Sequence, residues 1–336
     1  MVKQYRAVHD ARQKTTSTIL PATFPDVAVM LFMSTGALTL DRRRLKKLLT
    51  ASREDGLSAT AVPRRRFSTS DEMRYILYGV GDQFSPYDQQ LIDHIRRRIS
   101  QPSLTRPRQL ARPRKKDKSQ AGQSKFVDEL LSARRNGFFI ECGAFDGETL
   151  SNSLFFELQR NWTGLLIEAN PAYHRALLDK NRRAYVISAC LSPERRPATL
   201  RMQPAGVLGG IAERMHETHA TWIGAMKQPE VAVNCFPLNA IMAALGVSRV
   251  DYLSLDVEGP ELEILRSVDW TRLHIDVITV EYRIFGGGEI GIDQPATLKK
   301  LEHLRQFFRD TGVYREVGLL PAGSDADGLD VVFSRI

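Results

Sequence analysis

From residue 138 to the C-terminus, short apolar runs alternate with longer runs whose apolar residues recur at helical spacing, and no other feature restricts the fold as tightly. Strands are predicted at 138–142, 164–168, 184–190, 252–257 and 277–282, and helices at 150–158, 173–181, 239–245, 261–268 and 295–311. Such alternation implies a mostly parallel sheet with helices on both faces, because a parallel return needs a long crossover. Two final strands, 313–320 and 329–334, are joined only by the turn-rich PAGSDADG, which is too short for a crossover, so they must pair antiparallel. The fold class is therefore α/β, a mostly parallel sheet closed by an antiparallel C-terminal hairpin. Between 201 and 233 the pattern is less regular.

The chain before this core is electrostatically distinct. Residues 1–125 carry 25 Lys and Arg against 11 Asp and Glu, whereas the remainder carries 22 against 28. The expected organisation is a basic, irregular N-terminal region at 1–87 and an amphipathic helix at 88–100, with Leu91, Ile92, Ile95 and Ile99 on one face. A basic, proline-containing linker follows at 101–123, then the α/β domain at 124–336, opened by a helix that Ser124 would cap. The linker has too few apolar residues to offset the entropy of ordering. Its RPRKKDK lacks interleaved aromatics, which argues against nucleic acid as a partner. Residues 27–40 (VAVMLFMSTGALTL) are the one candidate for membrane association. About 14 residues fall short of the roughly 20 that span a bilayer, so a buried hydrophobic segment is the favoured reading. Were it a span, the basic run at 42–47 would pull its C-terminal side toward the cytoplasm.

Three cysteines, Cys142, Cys190 and Cys235, each sit in or beside an apolar strand-like run and read as buried free thiols. Without CxxC spacing or a Cys/His cluster, neither structural zinc nor a disulfide framework is expected.

Ligands of open α/β sheets bind outside the carboxyl ends of the strands. The first such end carries FFIECGAFDGETLSNS, in which Gly143 and Gly147 are spaced GxxxG and not GxGxxG, so the dinucleotide fingerprint fails. Glu141, Asp146 and Glu148 surround this loop and would repel pyrophosphate. A cofactor with a sulfonium and an ammonium but no phosphate, S-adenosyl-L-methionine, suits it better. Amides around the two glycines could approach its carboxylate, while an acid offsets its ammonium. Glu168, ending the second strand about 27 residues after Glu141, could accept both ribose hydroxyls. Cys190 and Leu191, at the third strand end, would border the adenine.

The fourth strand ends in YLSLDVEGPELE, which places Asp256 and Glu258 beside the expected methyl group as candidate catalytic residues. They could position the cofactor, remove a proton or complement a helix dipole. Together with Glu281, at the end of the fifth strand, they could also hold a divalent cation, although no metal is assigned. His174 and His274 read as surface or strand-edge residues. The insertions at 201–233 and 285–294 would shape the acceptor pocket, with 286–288 as a possible lid hinge.

The stretches FFIECGAFDGETLSNSLFFE, WTGLLIEANP, VDYLSLDVEGPELEIL and VITVEY resemble the FkbM-type methyltransferase domain, and within it the animal branch of Star and Star-like proteins. The resemblance runs roughly from 88 to 336 and includes GGGEIGIDQPATLKKLE and YREVGLLPAGSDADGLDVVF. It implies a class I S-adenosylmethionine-dependent (Rossmann-like) fold and O-methylation of a hydroxyl acceptor, a sugar or small metabolite. It places the cofactor loop on Glu141, Gly143 and Gly147, the ribose acid on Glu168 and the fourth-strand acid on Asp256. The Star branch implies an alternative, a membrane-anchored factor without established methyl transfer that helps a ligand precursor, its membrane cargo protein, leave the endoplasmic reticulum in vesicle-mediated transport. That branch carries an N-terminal anchor, from which the short 27–40 run and its flanking charge depart. The sequon Asn161-Trp162-Thr163 is compatible with a lumenal location.

Overall fold

The computed structural model describes residues 85–286, 291–326 and 328–336. The expectations for 1–84, including the 27–40 run, and for most of the 286–288 hinge fall outside the described residues. The first described helix, α1 (Gln89–Arg96), is capped by Asp88, whose side chain accepts from the Gln90 and Leu91 amides. Then follow α2 (Gln123–Leu130), β1 (Phe138–Cys142), α3 (Leu154–Arg160), β2 (Thr163–Glu168), α4 (Pro171–Asp179), β3 (Tyr185–Ser188), β4 (Cys190–Leu191), β5 (Ala198–Gln203) and β6 (Gly210–Ile211). The remaining elements are α5 (Glu217–Gly224), β7 (Val231–Phe236), α6 (Leu238–Leu245), β8 (Arg249–Leu255), α7 (Glu261–Ser267), β9 (His274–Glu281), α8 (Gln294–Thr311), β10 (Tyr314–Leu320) and β11 (Asp330–Arg335).

Seven strands form the main sheet in the order β10-β11-β9-β8-β1-β2-β3. β3, β2, β1, β8 and β9 run parallel, and β11 enters antiparallel between β9 and β10. This is the expected Rossmann-like class I methyltransferase fold, with its closing hairpin. Strand order reverses between β1 and β8, the switch point at which such sheets open a crevice for ligand. Alternate side chains along each strand feed opposite cores. Ile140 and Cys142 of β1 join Leu253 and Leu255 of β8 against α1, α6, α7 and α8. Phe139 and Tyr252, from the same two strands, pack with Val127, Phe155, Phe156 and Leu177 on the other face. Leu91 and Ile95 of α1 are fully buried in the first core, so that helix docks on the domain as its amphipathic pattern requires.

Four expectations need correction. Ser124 does not cap α2: Gly122 holds that position, and the Ser124 hydroxyl, inside the first turn, donates to the Asn152 carbonyl at 3.0 Å. The segment 201–233 is more regular than its sequence implies, since β5, β6 and β7 join β4 in a second sheet ordered β4-β7-β5-β6. Cys190 and Cys235 are not free thiols: they are register partners on β4 and β7 and form a disulfide, leaving Cys142 as a buried free thiol. The strand expected at 184–190 is split into β3 and β4, one in each sheet.

The 101–123 segment also behaves differently from a linker. It starts where Ser100 bridges Val186 of edge strand β3 and runs as an irregular strap over the domain. Asn181 donates to the Arg106 and Pro107 carbonyls at 2.6 and 2.9 Å, the Gln109 amide donates to the Lys180 carbonyl, and Arg108 pairs with buried Glu157. Charge-assisted bonds replace the apolar burial the segment lacks. Among the described residues, no helix is long and apolar enough to cross a membrane.

Candidate functional site

The loop after β1 is organised by backbone demand. Gly143 has φ +82°, and a Cβ there would lie 2.0 Å from the Asp256 carbonyl oxygen. Only glycine lets the ends of β1 and β8 approach this closely. Gly147 has φ +77° and faces the Leu177 side chain. The Gly143 and Ala144 amides both donate to the Ile167 carbonyl, and Gly147 donates to Ala144. Phe145, itself at φ +49°, donates to Glu168 Oε2 at 2.7 Å. The amides expected to cradle an anion are thus engaged with β2 or within the loop itself.

The three acids around the loop are similarly occupied. Buried Glu141 accepts from Ser151 Oγ (2.9 Å), the Asn152 amide (2.6 Å) and Ser153 Oγ (2.5 Å), which fixes the entry into α3. Asp146 accepts from the Glu148 and Thr149 amides and closes the turn. Glu148 accepts from the Ala111 and Arg112 amides at 2.6 and 2.7 Å and from Lys118 and Lys180, each at 2.9 Å. Burial alone would raise its carboxyl, but the bonds from Lys180, Lys118 and the two amides outweigh that and hold it at about 2. Glu148 therefore fastens the strap onto the loop. The repulsion of phosphate inferred from the sequence is weakened, because Lys118 and Lys180 neutralise part of this charge.

Glu168 stands where the sequence places it, at the end of β2 beside the loop. Its Oε2 accepts from Phe145 and its Oε1 from the Asn170 amide at 2.7 Å. Burial pushes its carboxyl up to about 7 against the pull of those amides. The Ala169 amide acts on it too, so three backbone N–H groups surround this carboxylate. Phe145 and Tyr173 pack together next to it, ring centroids 4.3 Å apart. Cys190 and Leu191 begin the second sheet immediately beyond β3, and the disulfide ties this corner to β7.

At the ends of β8 and β9 the structure brings together Asp256, Glu258 and Glu281, with one oxygen from each within 4.8 Å of the others. Burial raises all three carboxyls, helped by the charges of Asp330 and Glu261 at Asp256, of Asp256 at Glu258, and of Asp256 and Glu258 at Glu281. A hydrogen bond with Glu281 pulls Asp256 back. Lys300, from α8, pairs with Glu261 at 2.7 Å. Gln123 donates to Asp330 at 2.6 Å, and burial pushes that carboxyl to about 6. His219 Nδ1 lies 3.5 Å from Glu258 Oε2, and burial, then the Lys300 charge, lowers the imidazole to about 4. A pocket of about 270 Å³ reaches Glu258 between His219, Arg283, Lys300 and His303. His219 and Lys300 carry no local sequence signal, since each is one polar residue on an ordinary helix. His274, by contrast, pairs with Asp276 at the start of β9, far along the strand from this edge.

The profile of the Methyltransferase FkbM domain matches residues 141–314, which include both sites. No curated protein sequence matches the chain. Among solved structures, a methyltransferase FkbM from Methylobacillus flagellatus shares 15% identity at TM-score 0.36, over 59% of this chain and 43% of that one. The chain thus spans less than half of that relative's length. Aeropyrum pernix fibrillarin, a structure with natively bound S-adenosyl-L-methionine, shares 14% identity at TM-score 0.34, over 64% of this chain and 75% of that one. A precorrin-6y C5,15-methyltransferase from Geobacter metallireducens shares 15% identity at TM-score 0.33, over 66% of this chain and 92% of that one.

Proposed function

The chain belongs to the FkbM methyltransferase-domain family, and on that footing we propose that it is an S-adenosylmethionine-dependent O-methyltransferase acting on a hydroxyl of a sugar or small metabolite. The observation that carries this reading is the convergence of the 143–147 loop, Glu168 and Asp256 at the switch point of the sheet. The residues fit such a cofactor at one position in particular: a strand-end carboxylate with acceptor capacity remaining suits a ribose hydroxyl. The cofactor would supply an electrophilic methyl group for the acceptor oxygen. Cys190 and Leu191 would border its base. Asp256 or Glu258 would take the acceptor's hydroxyl proton. The pocket beside Glu258 would admit the acceptor.

Incubating the full chain with S-adenosylmethionine and mixtures of polyols, sugars and hydroxy acids tests this directly. Formation of S-adenosylhomocysteine with a methylated product, lost in Asp256→Asn, is expected. Turnover that persists undiminished in that variant would remove Asp256 from the chemistry.

A second reading, a non-catalytic Star-like factor moving a membrane cargo protein out of the endoplasmic reticulum, draws support from the Cys190–Cys235 disulfide, since such bonds persist in oxidising compartments. The internal use of Glu141, Asp146 and Glu148 is also compatible with a fold kept for binding alone. Absence of any cofactor binding would favour this alternative.

A further inference from the structure

We propose that Asp256, Glu258 and Glu281 form a binding site for a hard divalent cation, of the magnesium or manganese type. The β8–β9 register pairs Leu255 with Val280, so the next residue on each strand, Asp256 and Glu281, emerges side by side. Glu258 is turned back toward them by a left-handed backbone (φ +59°), rare for a residue with a side chain, and Gly259 follows with a φ of +153°. Gly259 can have no substituent there, because a Cβ would lie 2.7 Å from the Arg214 carbonyl oxygen. The chain thus accepts a disfavoured backbone at Glu258, eased by a glycine after it, where the third carboxylate joins the group.

A second, independent observation points to a ligand. Glu281 is 2% exposed, yet its Oε2 has no hydrogen-bond partner. A buried carboxylate oxygen without a donor is costly. Lys300 lies 2.7 Å from Glu261 Oε2 and its charge also acts on Asp256, Glu258 and Glu281. Gln123 bonds Asp330, and Asp256 shares a hydrogen bond with the Glu281 side chain, which leaves Glu281 Oε2 itself without a donor. A cation drawn to three converging carboxylate oxygens would give the Glu281 carboxylate a partner and offset the clustered charge. Three carboxylate oxygens suit a hard ion that keeps several water ligands. The pocket lined by Glu258 and His219 opens one of the three carboxylates to solvent. The site does not depend on the methyltransferase reading.

Titration of Mn²⁺ into the purified full chain, followed by calorimetry and by loss of the free-ion electron paramagnetic resonance signal, tests the site. One Mn²⁺ per chain is expected, displaced by excess Mg²⁺ and weakened by more than about tenfold in Glu281→Gln and in Glu258→Gln. Circular dichroism checks that each variant folds, and if one does not, the other decides. No Mn²⁺ binding by the folded wild type at millimolar ion would overturn the site, leaving shared protons as the answer to the clustered charge. Equal affinity in a folded variant would overturn the assigned ligands. A parallel titration with S-adenosylmethionine separates the two questions: metal binding without cofactor binding keeps the site and removes the methyltransferase reading, and the reverse outcome does the opposite.

Discussion

Replacing Glu168 by Gln should change how stability depends on pH in a defined direction. Burial raises this carboxyl from its ordinary 4.5 to about 7. Below pH 4.5 folded and unfolded chains both hold the proton, and the residue costs nothing. Between 4.5 and about 7 the unfolded chain releases it first, so stability falls as pH rises, by about 1.4 kcal/mol per pH unit. Above about 7 the whole cost is present, on the order of 3 kcal/mol. Glutamine cannot ionise and escapes that cost. It also turns an amide NH₂ toward one of the two backbone N–H groups that bond the carboxylate, Phe145 or Asn170, losing one bond worth about 1 to 3 kcal/mol. Glu168→Gln should therefore be less stable than wild type at pH 5 and gain about 2 to 3 kcal/mol on it by pH 8. Urea unfolding of both proteins at each pH measures the difference while cancelling the other titrating carboxyls. A constant difference across the range would refute the reasoning, since Glu168 would then ionise as readily in the folded chain as in the unfolded one.

Cys235→Ser, or reduction of the wild type, should lower stability by up to about 4 kcal/mol, the chain-entropy value for a loop closed across 45 residues, read as a drop in melting temperature; an unchanged melting temperature would show that the bridge contributes nothing. Glu148→Ala strands Lys118, which is 3% exposed, and should cost about 3 to 5 kcal/mol while releasing the strap. Trypsin would then cut among the basic residues of 106–116 faster than in wild type, and equal cleavage rates would show that the strap is held elsewhere.

The main sheet was legible because its strands are buried on both faces. FFIEC, TGLLIE and RVDYLSL are apolar enough to stand out without alignment or template. The second sheet was not: β4 and β6 have two residues each, and β5 (ATLRMQ) mixes polar with apolar positions. Nothing local announces that Cys190 meets Cys235, because their meeting depends on the β4–β7 register. The strap was misread for a related reason. Its order comes from Lys118, Arg108 and backbone amides reaching Glu148 and Glu157, partners at least 30 residues away that a composition argument does not see. At the candidate site, the glycines and strand-end acids lie along the sheet edge, as strand ends read from the sequence imply, while their hydrogen-bond partners were not foreseeable. Glu141 and Glu148 looked like ligand-facing charge and turned out to fix the loop, whereas Glu281, noted only as a possible metal ligand, has the orphaned oxygen.

Calorimetric titration of S-adenosylmethionine into the purified full chain, wild type beside Glu168→Ala, tests most directly whether this sheet edge is a cofactor site. Saturable binding of one molecule per chain is expected, weakened by at least about tenfold when the carboxylate that would receive the ribose hydroxyls is removed. A folded wild type that gives no binding signal, or a folded variant that binds as tightly as wild type, would contradict it.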